Sequence, residues 1–199
     1  MTPQLWVFAG PNGAGKSTLV DRHIRTRLPV VNPDDIARQI DPNHDGRPAV
    51  LLQAARLAIA ARDGHLAEGR SFVLETTLTG RGELGVMRRA AAAGYRINLV
   101  YIGLDAPELS AARVAERVRS GGHAVPPRDL ARRYPRSMAN LPAAIAIADR
   151  ALLLDNSGER ARLVMSVEAS RTRFVTSSPP AWAREAVRLT KSQQRSHSR

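Results

Sequence analysis

The stretch GPNGAGKS at residues 10–17 constrains this 199-residue chain more than any other part of it. It meets the pattern G-x-x-x-x-G-K-[ST] at every fixed position. Its flanks agree: residues 5–9 are a short apolar run that reads as a buried strand, and a helix is predicted over 17–27. A strand that turns through glycines into a helix is a cradle for phosphate. Gly10, Gly13 and Gly15 let the backbone close round an anion without Cβ clashes, while loop N–H groups and the positive helix end face it. In such a loop Lys16 reaches the β- and γ-phosphates of a nucleoside triphosphate, and the Ser17 hydroxyl is placed to ligate Mg²⁺.

Beyond the loop, apolar runs read as strands over 29–32, 71–74, 97–102, 151–154 and 163–167. Helical spacing covers 48–68, a weaker stretch ending at 93 before Gly94, 107–119, and 129–148 with a kink or break near Pro135 and Pro142. Strands that are continuous apolar runs and alternate with helices predict a mainly parallel sheet covered on both faces. One α/β domain is expected over 1–170, with a helical flap at about 113–136. Residues 171–199 read as a basic tail, a helix over 182–189 followed by disorder from Ser192.

The charge is uneven. The net value is +12, and of the 30 basic residues only Lys16 and Lys191 are lysines. Residues 113–136 carry seven basic and two acidic side chains, and residues 171–199 carry seven and one. A basic excess suggests nucleic acid or an anionic membrane. Eight aromatics supply few stacking platforms for single strands, and no DNA-reading motif is present, so nucleic acid is disfavoured as a partner. The longest near-apolar stretch, 141–148, is far below the roughly 20 residues of a membrane span. With no signal-peptide pattern at the N-terminus, a cytoplasmic location is expected and no membrane partner. The absence of cysteine excludes disulfides, thiolate zinc sites and a thiol nucleophile.

Three segments bear on what happens to the γ-phosphate. Asp34 and Asp35 follow the second predicted strand, where residues reach the ligand crevice of an α/β sheet. A carboxylate there suits the base that takes a proton from a phosphate acceptor, or it simply caps the following helix. Glu75 and Thr77, in FVLETTL, leave the third strand at the same edge. They suit binding of acceptor hydroxyls or of the metal's water shell, or form a strand-end turn. The run LLLD ending at Asp155 has the form of a metal-binding strand but lies late in the chain and reads as a decoy. Finally, Arg113, Arg117, Arg119, Arg128, Arg132 and Arg133 surround Gly121, Gly122 and His123. Glycines beside an arginine cluster fit a closing lid with cations for a transferring phosphoryl group.

Together, GPNGAGKST, NPDDIA, ETTL, the RV…RV…GGH…P…RRY…RS…NL run and ADRALLLDNSG resemble the zeta-toxin family of small P-loop kinases, in particular its short stand-alone ATPase branch. The resemblance spans about residues 4–158. It implies a P-loop NTPase fold with an adenylate-kinase-like three-layer αβα core, a five- to six-stranded sheet and a helical lid. It implies ATP and Mg²⁺ as cofactors, and phosphoryl transfer to an acceptor hydroxyl, in that family the 3′-hydroxyl of UDP-N-acetylglucosamine. It also implies an antitoxin protein as partner. By the same resemblance Asp34 falls on the catalytic base, Lys16 on the loop lysine and Arg117 on the first lid arginine. His123 stands where the family has its second lid arginine, with Arg119 or Arg128 as substitutes. The ATP site would comprise Gly10, Pro11, Asn12, Gly13, Ala14, Gly15, Lys16, Ser17 and Thr18, with Asn156 in the loop against adenine. Glu75, Thr77, Arg81, His123 and Arg128 would contact the acceptor. Two other readings stay open: a non-toxic P-loop kinase of another nucleotide, sugar or antibiotic, and a nucleic-acid-binding ATPase.

Overall fold

Strand β1 (Gln4–Ala9) lies inside the sheet with parallel neighbours on both sides, which explains why it is apolar from Leu5 onward. Leu5, Val7 and Ala9 face one core cluster, and Trp6 and Phe8 face the other. The structure is a computed structural model and describes residues 2–43, 46–120 and 125–196. After β1 come α1 (Lys16–His23), β2 (Val30–Val31), α2 (Pro33–Ile40), α3 (Pro48–Ala67) and β3 (Phe72–Thr76). Then follow α4 (Arg81–Ala92), β4 (Arg96–Gly103), α5 (Pro107–Arg119), α6 (Pro127–Ile147) and β5 (Arg150–Asp155). The described chain closes with β6 (Arg162–Glu168), β7 (Arg171–Val175) and α7 (Ala181–Ser196). Four of these helices, α2, α3, α5 and α6, start on a proline, whose fixed φ and missing N–H suit the first turn.

The sheet order is β2-β3-β1-β4-β5-β6-β7. The first five strands are parallel, and β6 and β7 are antiparallel. Helices α3, α4, α6 and α7 bury Ala58, Met87, Leu141 and Ala183 on one face. On the other, α1 contributes Val20 and α5 contributes Leu109. The layered α/β sheet is therefore the one expected, with two corrections at its C-terminal edge. The sheet has seven strands, not five or six, and residues 171–175, read as part of the basic tail, form the last of them. The strand β7 escapes sequence reading because RTRFV has only two apolar residues and its hairpin lacks a glycine signal. The two-residue turn is Ala169 and Ser170, both left-handed at φ 48 and 60°. Helix α7 buries Trp182, Ala183, Ala186 and Val187 and runs on to Ser196, past the expected end of order at Ser192. Helix α6 runs unbroken through Pro135 and Pro142. Among the described residues no helix is long and apolar enough to cross a membrane.

Candidate functional site

The phosphate loop leaves β1 at its C-terminal end. At Gly10, φ is +141°, and a Cβ would lie 2.0 Å from the Ile102 carbonyl oxygen of β4, so only glycine fits beside that strand. Gly15, left-handed at φ 89°, caps α1 and turns the chain into the helix. Lys16 is 8% exposed, and its Nζ donates to the Pro11 carbonyl at 2.9 Å. Behind the loop, Ser110 of α5 donates through Oγ to the Asn12 carbonyl at 2.6 Å. This buried bond ties the start of the arginine-bearing helix to the loop.

Glu75 of β3 sits beside Phe8 of β1 in the parallel register, one step before the strand ends. Its Oε1 accepts from Ser17 Oγ at 2.6 Å, and its Oε2 accepts from Asn32 Nδ2 at 3.0 Å. Asn32 is also the cap of α2: its Oδ1 accepts from the Asp34 backbone N–H at 2.9 Å. The expectation that Asp34 or Asp35 caps this helix is thus corrected, and the two aspartates part company. Asp35 pairs with Arg25 at 2.8 Å and with Arg38, whereas Asp34 lines a cleft of about 680 Å³ over the loop. At its far wall Thr76, Thr77, Thr79 and Glu83 line the same space. Thr77 and Thr79 share a hydroxyl hydrogen bond of 3.1 Å, and Thr76 Oγ1 donates to Glu83 at 3.2 Å.

The cationic wall comes from two helices. Arg113 and Arg117 of α5 stand one turn apart, and Arg132, Arg133 and Arg136 come from α6. Arg119 does not join them. Two residues beyond Arg117 it points round the helix, pairs with Glu116 and is 73% exposed. Arg128 and Arg81 are exposed in the first turns of α6 and α4 and do not line the cleft. His123 and the expected glycine hinge at Gly121 and Gly122 lie outside the described residues. Of the three α6 arginines, Arg132 and Arg133 belong to the cluster expected of a lid, but the sequence assigns none of the three to the clamp. Their signal in the sequence is the four-residue step from Arg132 to Arg136, which repeats that from Arg113 to Arg117. Asn156 reaches the loop from outside the cleft, its Nδ2 donating to the Ala14 carbonyl at 2.9 Å. Asp155 is engaged away from the cleft with Ser157, Arg162 and Trp182.

Burial lowers the Lys16 ammonium to about pKa 8, and Arg117 and Arg133 push the same way against the pull of Glu75 and Asp34. Burial likewise raises Glu75, helped by Asp35 and Asp34 and opposed by the Ser17 hydrogen bond and Lys16. A phosphate placed in the loop favours charged lysine, so the complex holds more protons than the free protein. Nucleotide affinity is therefore expected to weaken as pH rises through about 8, by up to about tenfold per unit. Titration calorimetry at pH 8.5 in buffers of different ionisation enthalpy should show net proton uptake, and pH-independent affinity between 7 and 9.5 would contradict it.

The residues present fit Mg²⁺. Among the described residues no cluster of three acidic or histidine side chains could hold a metal alone. One hydroxyl backed by one carboxylate, facing a phosphate site, is the donor set of an ion that keeps waters and phosphate oxygens as its other ligands.

A parallel sheet with a phosphate loop after an inner strand, a carboxylate on the neighbouring strand and arginines over the cleft defines a P-loop kinase-like fold. A family profile described as an AAA domain matches residues 5–141, and the chain belongs to that family. A Haemophilus influenzae protein of uncharacterized function is 34% identical over 128 residues, which is 60% of this chain and 89% of that protein. A chain of the AvrRxo1-ORF1:-ORF2 complex crystallised with ATP superposes at TM-score 0.72 and 17% identity. That alignment covers 95% of this chain but spans only 64% of the other. A chain from the PezAT chromosomal toxin-antitoxin system of Streptococcus pneumoniae superposes at TM-score 0.60 and 14% identity, covering 98% of this chain and 86% of that one. At these identities the solved structures share the fold.

Proposed function

We propose that this protein is an ATP-dependent small-molecule kinase of zeta-toxin type, which moves the γ-phosphate of ATP to an acceptor hydroxyl of a UDP-N-acetylated sugar. One observation carries the reading. Lys16, Asp34, Arg117 and Arg133, from the loop, α2, α5 and α6, all line one cleft over the phosphate loop. A lysine for the phosphates, a carboxylate for the acceptor proton and arginines for the phosphoryl group are the parts phosphoryl transfer needs.

In this reading the loop N–H groups and Lys16 hold the triphosphate. Ser17 and Glu75 would hold Mg²⁺, which would neutralise charge on the phosphates when bound. Thr77 and Glu83 hold acceptor hydroxyls. Asp34 accepts the acceptor's proton as the new O–P bond forms and the bond to ADP breaks. Arg117 and Arg133 offset charge on the phosphoryl oxygens. Arg133 takes the second clamp position for which His123, Arg119 and Arg128 were the sequence candidates. The toxin-antitoxin system to which the PezAT chain belongs supports an antitoxin partner for this chain as well.

The test incubates the purified protein with γ-labelled ATP and either UDP-N-acetylglucosamine or a metabolite extract. Label is expected on a hydroxyl of the nucleotide sugar and is lost with Lys16→Ala. Label on a different metabolite would replace the acceptor, and none on any metabolite would remove the kinase reading. Growth arrest on expression, relieved by Lys16→Ala, tests the toxin role.

A further inference from the structure

The C-terminal extension reaches the phosphate loop through a short chain of hydrogen bonds, of which the one from Trp182 is buried. Asp155 ends β5 and is 3% exposed. Its Oδ1 accepts from Ser157 Oγ at 2.6 Å and from Trp182 Nε1 of α7 at 3.2 Å, and its Oδ2 accepts from Arg162 Nε at 2.9 Å. Ser157 Oγ in turn accepts the Asp105 backbone N–H at 2.8 Å. The next residue, Asn156, donates its own N–H to the Gly103 carbonyl at 3.0 Å and its side-chain amide to Ala14 in the loop. It stands so close that a Cβ on Gly15 would lie 2.8 Å from its Nδ2. At the other end the Trp182 ring fills the space beside Gly103, where a Cβ would come within 2.3 Å of it, and lies 5.6 Å from the Tyr101 ring.

We infer that Trp182 is a positioning residue for the nucleotide site: by donating to Asp155 it fixes the 155–157 turn, and through Asn156 the turn fixes the phosphate loop. The inference rests on the reading of residues 10–17 as the ATP site. It assigns a task to a segment that no motif covers. Helix α7 is placed by its aromatic anchor and has no residue in the cleft. A buried carboxylate with three donors has one orientation, and removing a donor lets the turn that carries Asn156 relax. The consequence falls on nucleotide affinity and spares the transfer step, because Asp34, Arg117 and Arg133 sit on other elements.

The test is Trp182→Phe, which keeps the ring against Gly103 and Tyr101 and removes only the N–H donor. The Kd of a fluorescent ATP analogue is expected to rise about five- to tenfold, the upper part of what one ordinary intramolecular hydrogen bond contributes. In the transfer assay KM for ATP should rise with it and kcat should stay within about twofold. Amide exchange at Asn156 should quicken. Arg162→Ala removes a donor from the other oxygen of the same carboxylate at an exposed position, so it folds in any case and should shift Kd the same way. Val187→Ala cuts buried packing of α7 away from this chain of bonds and should lower Tm while leaving Kd unchanged. Wild-type affinity in both Trp182→Phe and Arg162→Ala overturns the inference, as does an equal loss in Val187→Ala, which marks a general packing effect. A wild-type protein that does not bind the analogue, or binds it as well after Lys16→Ala, overturns the ATP-site reading and this inference with it.

Discussion

Arg133→Ala is expected to lower kcat for phosphoryl transfer by about 10³–10⁵, the range an arginine finger commands. Arg117 falls on the clamp by resemblance, whereas the sequence marks Arg133 only as one of the lid cluster, so Arg133 makes the sharper test. It lines the cleft, acts on Lys16 together with Arg117, and its ion pair with Asp129, at 4.0 Å, is too long for a hydrogen bond. Arg132, by contrast, is hydrogen-bonded to Asp129 at 3.0 Å. A planar fork matches two phosphoryl oxygens at once, so Arg133→Lys should recover only part of the loss. Arg117→Ala should cost a similar factor, and the double variant much less than the product, because both cations serve one transition state. Arg119→Ala and Arg128→Ala should stay within about twofold of wild type. The measurement is single-turnover transfer from γ-labelled ATP at saturating nucleotide. Near-wild-type rates in Arg133→Ala, or a large loss in Arg119→Ala, would return the clamp to the sequence candidates.

The contrast between Arg119 and Arg133 shows where sequence reading reaches its limit. The loop is legible because its geometry leaves few choices: a carbonyl 2.0 Å from any Cβ at residue 10 demands glycine. The apolar strands are legible because burial on both faces removes alternation. Which arginines face the cleft is a matter of helical phase and of how α5 and α6 meet, and the meeting is set by tertiary contacts such as Ser110 to Asn12 and Tyr134 to the Leu104 carbonyl at 2.6 Å. Nothing local encodes these. The same holds for Asp34 and Asp35, adjacent and chemically identical. The cap on Asn32 fixes the start of α2 and so turns one carboxylate to the cleft and the other to Arg25 and Arg38. At the C-terminal edge, charge hid structure: seven basic residues over 171–199 read as a tail, yet β7 pairs with β6 and Trp182 is buried.

Asp34→Asn is the second large effect. Loss of a positioned general base costs about 10²–10⁴ in rate. Asparagine keeps the size and the backbone N–H that Asn32 caps, so α2 should start as before. The amide cannot take the acceptor proton, so transfer stops at the step where the hydroxyl must become a nucleophile. Nucleotide binding should survive. Asp34 raises the Lys16 pKa, so its removal moves that value further down from about 8. Affinity is therefore compared at pH 6.5, where the ammonium stays charged in both proteins. There the variant should bind ATP within about twofold of wild type, because the carboxylate also repels the phosphates it faces. Asp35→Asn supplies the control one residue away. It releases Arg25 and Arg38 and should leave both binding and transfer close to wild type, since none of the three side chains lines the cleft. Full turnover by Asp34→Asn would remove the base from α2 and leave Glu83 as the carboxylate on the acceptor side of the cleft to test next.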